Sequence, residues 1–183
     1  MGVLISLAGA PSVGKSSIAA KLFAELKDMG KECELATEYC KGWVWDKREI
    51  THYSQLYFFG KQSYAESHFF NKVDFVISDS PTFLSGYYNE HNNHDTSLNE
   101  ACKGFYKKAE EDGIKIFNFF LPRTRPYNPL GRFQSEEQSD AIAVELREWL
   151  DREGYPYTYL ACPDKYRVDF ILQHLREAGV LDE

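Results

Sequence analysis

Residues 9–16 read Gly-Ala-Pro-Ser-Val-Gly-Lys-Ser, after an apolar run over 3–8 and before apolar residues at Ile18, Leu22, Phe23 and Leu26. An apolar run of strand length, a glycine-rich turn and helical spacing in direct succession predict strand, loop and helix over residues 3–29. No other stretch constrains the chain as much. Gly9 and Gly14 permit backbone angles that aim successive N–H groups inward, at phosphate oxygens. Pro11, Ser12, Val13 and Ser17 complete the lining of the loop. The helix N-terminus adds its dipole, Lys15 is placed to reach β- and γ-phosphates, and the Ser16 hydroxyl is placed to ligate Mg²⁺. A chain built around this segment is expected to bind a nucleoside triphosphate.

The remainder is sized for one α/β domain over 1–183, since 183 residues hold one substantial core and not two of ordinary size. An apolar content of 43% excludes a disordered chain. The longest apolar stretches are about eight residues, too short to span a bilayer. The first strand is expected at the start of the sequence, so no signal peptide is expected. Cys33, Cys40, Cys102 and Cys162 form no C-x-x-C pair and have no histidine at zinc spacing. They are expected to be reduced, packed thiols. Together these features predict a cytoplasmic protein without a membrane partner, in the host cytoplasm if the chain is phage-encoded.

Strand-like and helix-like segments alternate without repeats. Strands are expected over 3–8, 32–37, 73–78, 114–121 and 155–161. Helices are expected over 16–29, 51–72, 97–112, 135–153 and 164–178, with a polar turn region over 86–95. The alternation predicts a doubly wound, five-stranded parallel sheet with the ligand at the carboxyl ends of its strands.

Three strand ends then carry candidate chemistry. Strand three runs into Asp79, an acid placed to hold Mg²⁺ beside the loop, although an acid before Ser80-Pro81 also suits a simple turn. Strand two ends at Glu38, placed to accept the proton of an attacking hydroxyl; the alternative is a solvated glutamate. Strand four is followed by three arginines and three prolines within residues 122–132. The stretch 114–135 carries one lysine, three arginines and no acid, in a chain of net charge −7. Such an island suggests a lid over about 122–135 whose Arg123, Arg125 and Arg132 clamp phosphate. Pairing of this basic loop with Glu136, Glu137 and Asp140 is the plainer reading.

These features resemble the P-loop kinases, and more narrowly the phage ATPase/kinase group related to the nicotinamide-riboside-kinase domain of NadR. The resemblance rests on the 9–16 loop, Ala36-Thr37-Glu38-Tyr39, Ile77-Ser78-Asp79-Ser80-Pro81, and Arg125-Pro126-Tyr127-Asn128 followed by Gly131-Arg132-Phe133-Gln134. It implies an ATP- and Mg²⁺-dependent kinase with the loop and Arg123 on ATP, Ser16 and Asp79 on the metal, and Glu38 at the acceptor. Lys15, Glu38, Asp79, Arg125 and Arg132 are the implied catalytic residues. Some members of the group act on 5-hydroxymethyluridine in phage DNA, so a nucleoside-type acceptor, favoured in DNA, is implied. A free nucleoside or nucleotide, or nicotinamide riboside, is the alternative acceptor.

Other readings compete. Asn71-Lys72-Val73-Asp74 spells a guanine-reading N-K-x-D, but it precedes its strand and so lies at the wrong end of the sheet. A remodelling ATPase working with a protein or nucleic-acid partner would need a larger domain and a helical lid domain. Between strands two and three lie many aromatics. Most of them fit a packed helix face, while Trp43 and Trp45, expected in a loop near Lys41, Lys47 and Arg48, are the base-stacking candidates. His91 and His94 are expected in a solvated loop.

Overall fold

The computed structural model describes residues 2–182, apart from the side chain of His52. Strand β1 (Val3–Ala8) is buried along its whole length, as a central strand covered on both faces must be. It pairs in parallel with β3 (Phe75–Ser78) on one side and β4 (Lys115–Phe120) on the other. Strand β2 (Cys33–Ala36) lies outside β3 and β5 (Thr158–Tyr159) outside β4, giving the order β2-β3-β1-β4-β5. This is the doubly wound, five-stranded parallel sheet expected from the alternation. Parallel crossovers are right-handed, so the connection from β1 out to β2 and the connections running back the other way place their helices on opposite faces. Helix α1 (Lys15–Asp28) accordingly packs with α7 (Arg167–Glu177), while α3 (His52–Ser67) packs with α4 (Phe83–Asn93) and α5 (Ser97–Glu111).

Local chemistry sets the helix bounds. Helix α1 buries Ile18, Ala19, Leu22 and Leu26 against the sheet. Helix α6 (Glu136–Glu153) opens with a capping box in which Ser135 Oγ accepts from Gln138 N–H and Gln138 Oε1 accepts from Ser135 N–H. Its first-turn Glu136 and Glu137 suit the helix dipole, and Gly154, at φ 79°, ends it.

Several expectations are corrected. The 86–95 region is not a polar turn: α4 runs from Phe83 to Asn93. Phe83, Leu84 and Tyr87 bury one side, and the buried Asn89 donates to the Asp95 carbonyl, tying the exit of the helix back onto itself. His91 therefore sits on a helix, stacked on Tyr87 and 2.9 Å from a Glu145 carboxylate oxygen. Trp43 and Trp45 are on a short helix, α2 (Lys41–Trp45), and not in a loop. Strand five is shorter than expected, because Pro156 has no N–H for the ladder and its carbonyl is taken by Asn118 Nδ2. The terminal helix is preceded by a 3₁₀ turn over Asp164–Tyr166. The N-K-x-D stretch is a helix-to-strand turn in which Asp74 Oδ2 accepts from Glu32 N–H, at the end of β3 remote from Asp79. All four cysteines are free. Among the described residues no helix is long and apolar enough to cross a membrane.

Candidate active site

The loop after β1 is built from backbone angles that only some residues tolerate. Gly9 has φ 144° and Gly14 has φ 92°. A Cβ on Gly9 would lie 2.6 Å from the Leu121 carbonyl oxygen, and one on Gly14 would lie 2.7 Å from the Arg125 guanidinium. Gly9 thus needs glycine for space as well as for angle, while at Gly14 the angle is decisive, since the Arg125 side chain can give way. Ser12, at φ 66°, accepts from the Asn128 N–H at 2.9 Å, tying the loop to the basic segment. From α6, the buried Ser139 hydroxyl donates to the Pro11 carbonyl at 2.8 Å.

Behind the loop lies Arg167, which is wholly buried. Its guanidinium donates to the Val13 carbonyl at 3.3 Å and the Pro122 carbonyl at 2.6 Å, and pairs with Asp164 at 2.7 Å. Asp164 also accepts from Thr124 Oγ1 at 2.6 Å and pairs with Arg125. Burial pushes the Asp164 carboxyl up, but hydrogen bonds from Thr124 and Arg125 and the Arg167 charge outweigh it and hold the group below its ordinary range. One carboxylate thereby fixes the root of the 122–135 segment to the back of the loop.

Lys15 points into the loop and donates to the Gly9 and Ala10 carbonyls at 2.8 and 3.0 Å. Burial lowers its ammonium below the ordinary lysine value, opposed by the charges of Glu38 and Asp79. The β1–β3 register pairs Ser6 with Ser78, so Asp79 leaves the sheet directly beside the loop. Asp79 is buried, and its Oδ1 accepts from the Glu38 N–H at 2.8 Å. The next amide, Tyr39 N–H, donates to Gln62 Oε1 at 3.3 Å. A strand-end carboxylate and a helix amide therefore hold the Glu38 backbone from two sides. Cys40 Sγ donates to Glu38 Oε1 at 3.2 Å.

These groups surround one cavity of about 330 Å³. Loop residues 11–17 line one end of it. Glu38, Arg125, Arg132, Gln55, Phe58, Gln62 and Tyr88 are among the residues that line the rest. Burial, then the charges of Glu38 and Cys40, push the Tyr88 phenol well up. Of the residues expected from sequence, Gly9 and Asp79 shape this cavity from behind and do not line it. Arg123 lies outside: its guanidinium pairs with Glu136 and Asp140 and sits 5.9 Å from the Tyr127 ring. Trp43 and Trp45 do not line it either. Trp43 packs edge-on against Phe58 with its centroid 5.0 Å away and has the Arg48 guanidinium 5.4 Å from its ring. The Trp45 indole lies against Gly131, where an added Cβ would meet it at 2.9 Å.

Residues the sequence left unmarked contribute as much. Gln55, Phe58 and Gln62 fall at i, i+3 and i+7 on α3, a readable sign of one helix face, but polar residues at such spacing carry no reaction of their own. Arg167 and Asp164 stand in an ordinary amphipathic stretch with no motif around them. Among the described residues no group of three or more His, Cys, Asp or Glu is placed to hold a metal. A cation bound here would complete its shell from phosphate and water, as Mg²⁺ commonly does.

A comparison with curated proteins finds no match. Among solved structures the chain is similar to APE1195, at 16% identity, with 98% of this chain and 97% of that one covered and a TM-score of 0.53, a likeness of fold. It is also similar to a point variant of the APS kinase CysC of Mycobacterium tuberculosis, at 17% identity, with 80% of this chain and 97% of that one covered and a TM-score of 0.44. Residues 4–165 match the family described as AAA domain, so the chain, with its phosphate-binding loop at the centre of a five-stranded parallel sheet, belongs to that family of P-loop NTPases.

Proposed function

We propose that this chain is an ATP- and Mg²⁺-dependent phosphotransferase that moves the γ-phosphoryl group to a hydroxyl of a nucleoside-type acceptor. The favoured acceptor is the 5-hydroxymethyl group of 5-hydroxymethyluridine in phage DNA. One observation carries the kinase reading. Loop residues 11–17 and Glu38 share their cavity with a wall of aromatic and amide side chains, Gln55, Phe58, Gln62 and Tyr88. A hydrolase acting on water alone has no use for such a wall; a planar acceptor does. The resemblance of the four strand-end motifs supports the hydroxymethylated base.

In this reading Lys15 exchanges the Gly9 and Ala10 carbonyls for phosphate oxygens. Ser16 lines the cavity beside the loop and Asp79 stands at the adjacent strand end, and a hydroxyl with a carboxylate makes a donor set of hard oxygens that fits Mg²⁺. Held there, the ion would offset charge on the β- and γ-phosphates. Glu38 takes the proton of the acceptor hydroxyl as its oxygen bonds to phosphorus and the bond to the leaving diphosphate breaks. The Asp79 and Gln62 contacts to successive amides keep that carboxylate in place. Arg125 and Arg132 offset charge on the transferring group, and the 122–135 segment serves as a lid over a fixed root.

The test is transfer of label from γ-³²P-ATP, offered in parallel to DNA containing 5-hydroxymethyluridine, ordinary DNA, free nucleosides and nucleotides, and nicotinamide riboside. Label is expected in the hydroxymethylated DNA alone. Label in a small molecule would keep the kinase and reassign the acceptor, and label only in free phosphate would turn the reading to an ATPase with a protein or nucleic-acid partner. Glu38→Gln is expected to bind ATP nearly as well as the parent while losing about 100-fold in transfer rate.

A further inference from the structure

Gln62 is 4% exposed and lines the cavity, yet its Nε2 has no hydrogen-bond partner among the described residues. A buried amide N–H₂ without an acceptor costs free energy, so a ligand in this cavity that supplies an acceptor to it would be favoured. The orientation of the amide is determined by its other end. Tyr39 N–H can only donate, so the atom facing it at 3.3 Å must be Gln62 Oε1, which leaves the N–H₂ as the unpaired end of a side chain that lines the cavity. Phe58, one helical turn earlier on α3 and 6% exposed, supplies an aromatic face in the same wall. A donor fixed beside an aromatic face fits a flat ring that presents a carbonyl oxygen, and opposes one that presents an amino group at the same place.

We infer that Gln62 reads the acceptor ring, selecting a keto pyrimidine of the uracil type over an amino pyrimidine of the cytosine type. The inference rests on the kinase reading for the place of the acceptor, but it makes its own claim about binding. Tyr39 N–H fixes the amide, Gln62 Nε2 donates to the ring carbonyl, and Phe58 packs on the ring.

Calorimetric titration separates the two claims, because it needs no turnover. The probes are 5-hydroxymethyl-2′-deoxyuridine and 5-hydroxymethyl-2′-deoxycytidine, each as the free nucleoside and within a single-stranded nonamer, titrated into the full chain with ADP and Mg²⁺ present. The parent is expected to bind the uridine form about tenfold more tightly than the cytidine form in at least one context. Gln62→Leu, which removes the donor, should erase the difference. Gln62→Glu retains an oxygen for Tyr39 N–H, replaces the donor by an acceptor, and should reverse the preference. ADP affinity serves as the folding control for both variants. Equal binding of the two forms by the parent, a preference that survives in Gln62→Leu, or no binding of either ring in either context overturns the inference. Labelled phosphate found on some other hydroxyl would then leave the kinase reading standing. Ring discrimination without any transfer would sink the kinase reading and keep this one.

Discussion

The two ends of the cavity are built on different principles. At the phosphate end, backbone does the work: two glycines whose Cβ atoms would collide with a carbonyl and a guanidinium, and a loop held from behind by Ser139 and Arg167. These contacts set the backbone shape of the loop, the arrangement that favours charge development with little reorganisation. At the acceptor end, side chains do the work. Glu38 is half-buried, the aromatic wall comes from helices whose outer faces are open to solvent, and Gln62 presents a donor without a partner. The contrast teaches that this chain keeps one end of its site invariant in shape and leaves the other to be defined by composition. Substitutions at the two ends should therefore fail in different ways.

The largest effect is expected at the phosphate end. Lys15→Ala removes a side chain that donates to the loop's own carbonyls, and transfer should fall about 1,000-fold with weakened ATP binding. Single-turnover transfer and nucleotide titration measure both. Unchanged turnover would remove the phosphate end from the reaction altogether.

Second in size is the buried support of that end. Arg167→Leu leaves the Val13 and Pro122 carbonyls without their donor and strips Asp164 of one of two cationic partners. Removing one member of a buried charged network costs about 3 kcal/mol, and the denaturant midpoint should fall accordingly, with a raised KM for ATP. A midpoint within the error of the parent would mean that the loop holds its shape without this anchor, and the contrast between the two ends would lose its physical basis.

How much of this was legible beforehand divides along the same line. Gly9, Gly14, Lys15 and Ser16 were readable because a backbone requirement translates into residue identity at fixed spacing. Asp79 and Glu38 were readable because parallel topology sends strand ends to one edge, and the β1–β3 register does so. Helix α4 was missed because its exposed side is rich in Asn and His, and burial of Phe83, Leu84 and Tyr87 overrides that composition. Trp43 and Trp45 were expected to stack a base because a loop beside Lys41, Lys47 and Arg48 was expected there, while the cavity takes Phe58, a distinction that depends on how α2 leans against α3. Arg167 and Gln62 were invisible for the same reason: Arg167 meets the Val13 and Pro122 carbonyls, and Gln62 meets the Tyr39 N–H, across more than 20 residues.

The third prediction concerns the joint between the two ends. Glu66 on α3 is fully buried and accepts from Ser78 Oγ at 2.6 Å, Thr82 N–H at 3.0 Å and Thr82 Oγ1 at 2.7 Å, bracketing the Asp79 turn, with Tyr106 and Cys102 near it. Burial raises its carboxyl to about 7, against these hydrogen bonds, which favour the charged form. The folded state then holds a proton that the unfolded state releases above the ordinary carboxyl value of 4.5. Stability from this group is present below pH 4.5 and is lost as pH rises towards 7. Over that window the loss should reach roughly 3 kcal/mol at most. Glu66→Gln, which cannot ionise, should flatten the slope between pH 5 and pH 8 in paired denaturant titrations. Parallel slopes in the two proteins would show that Glu66 stays ionised throughout.

The smallest effect is expected where the resemblance and the geometry part. The resemblance puts Arg123 on the nucleotide, while in the structure its guanidinium is engaged by Glu136 and Asp140 at the start of α6, outside the cavity. Both acids are more than half exposed, and ion pairs of that kind contribute about 0–1 kcal/mol each. Arg123→Ala should therefore shift the denaturant midpoint by less than about 1 kcal/mol and change transfer less than about threefold. Arg132→Ala should act differently. Arg132 lines the cavity, its Nε has no hydrogen-bond partner among the described residues, and its charge is felt at Lys15, so its loss should slow transfer by about 100-fold. A steady-state comparison of the two variants decides whether the basic segment is one clamp or two unlike parts. Equal large losses would mean that Arg123 leaves Glu136 and Asp140 when the segment closes, and the phosphate end would then share the ligand-defined character of the acceptor end.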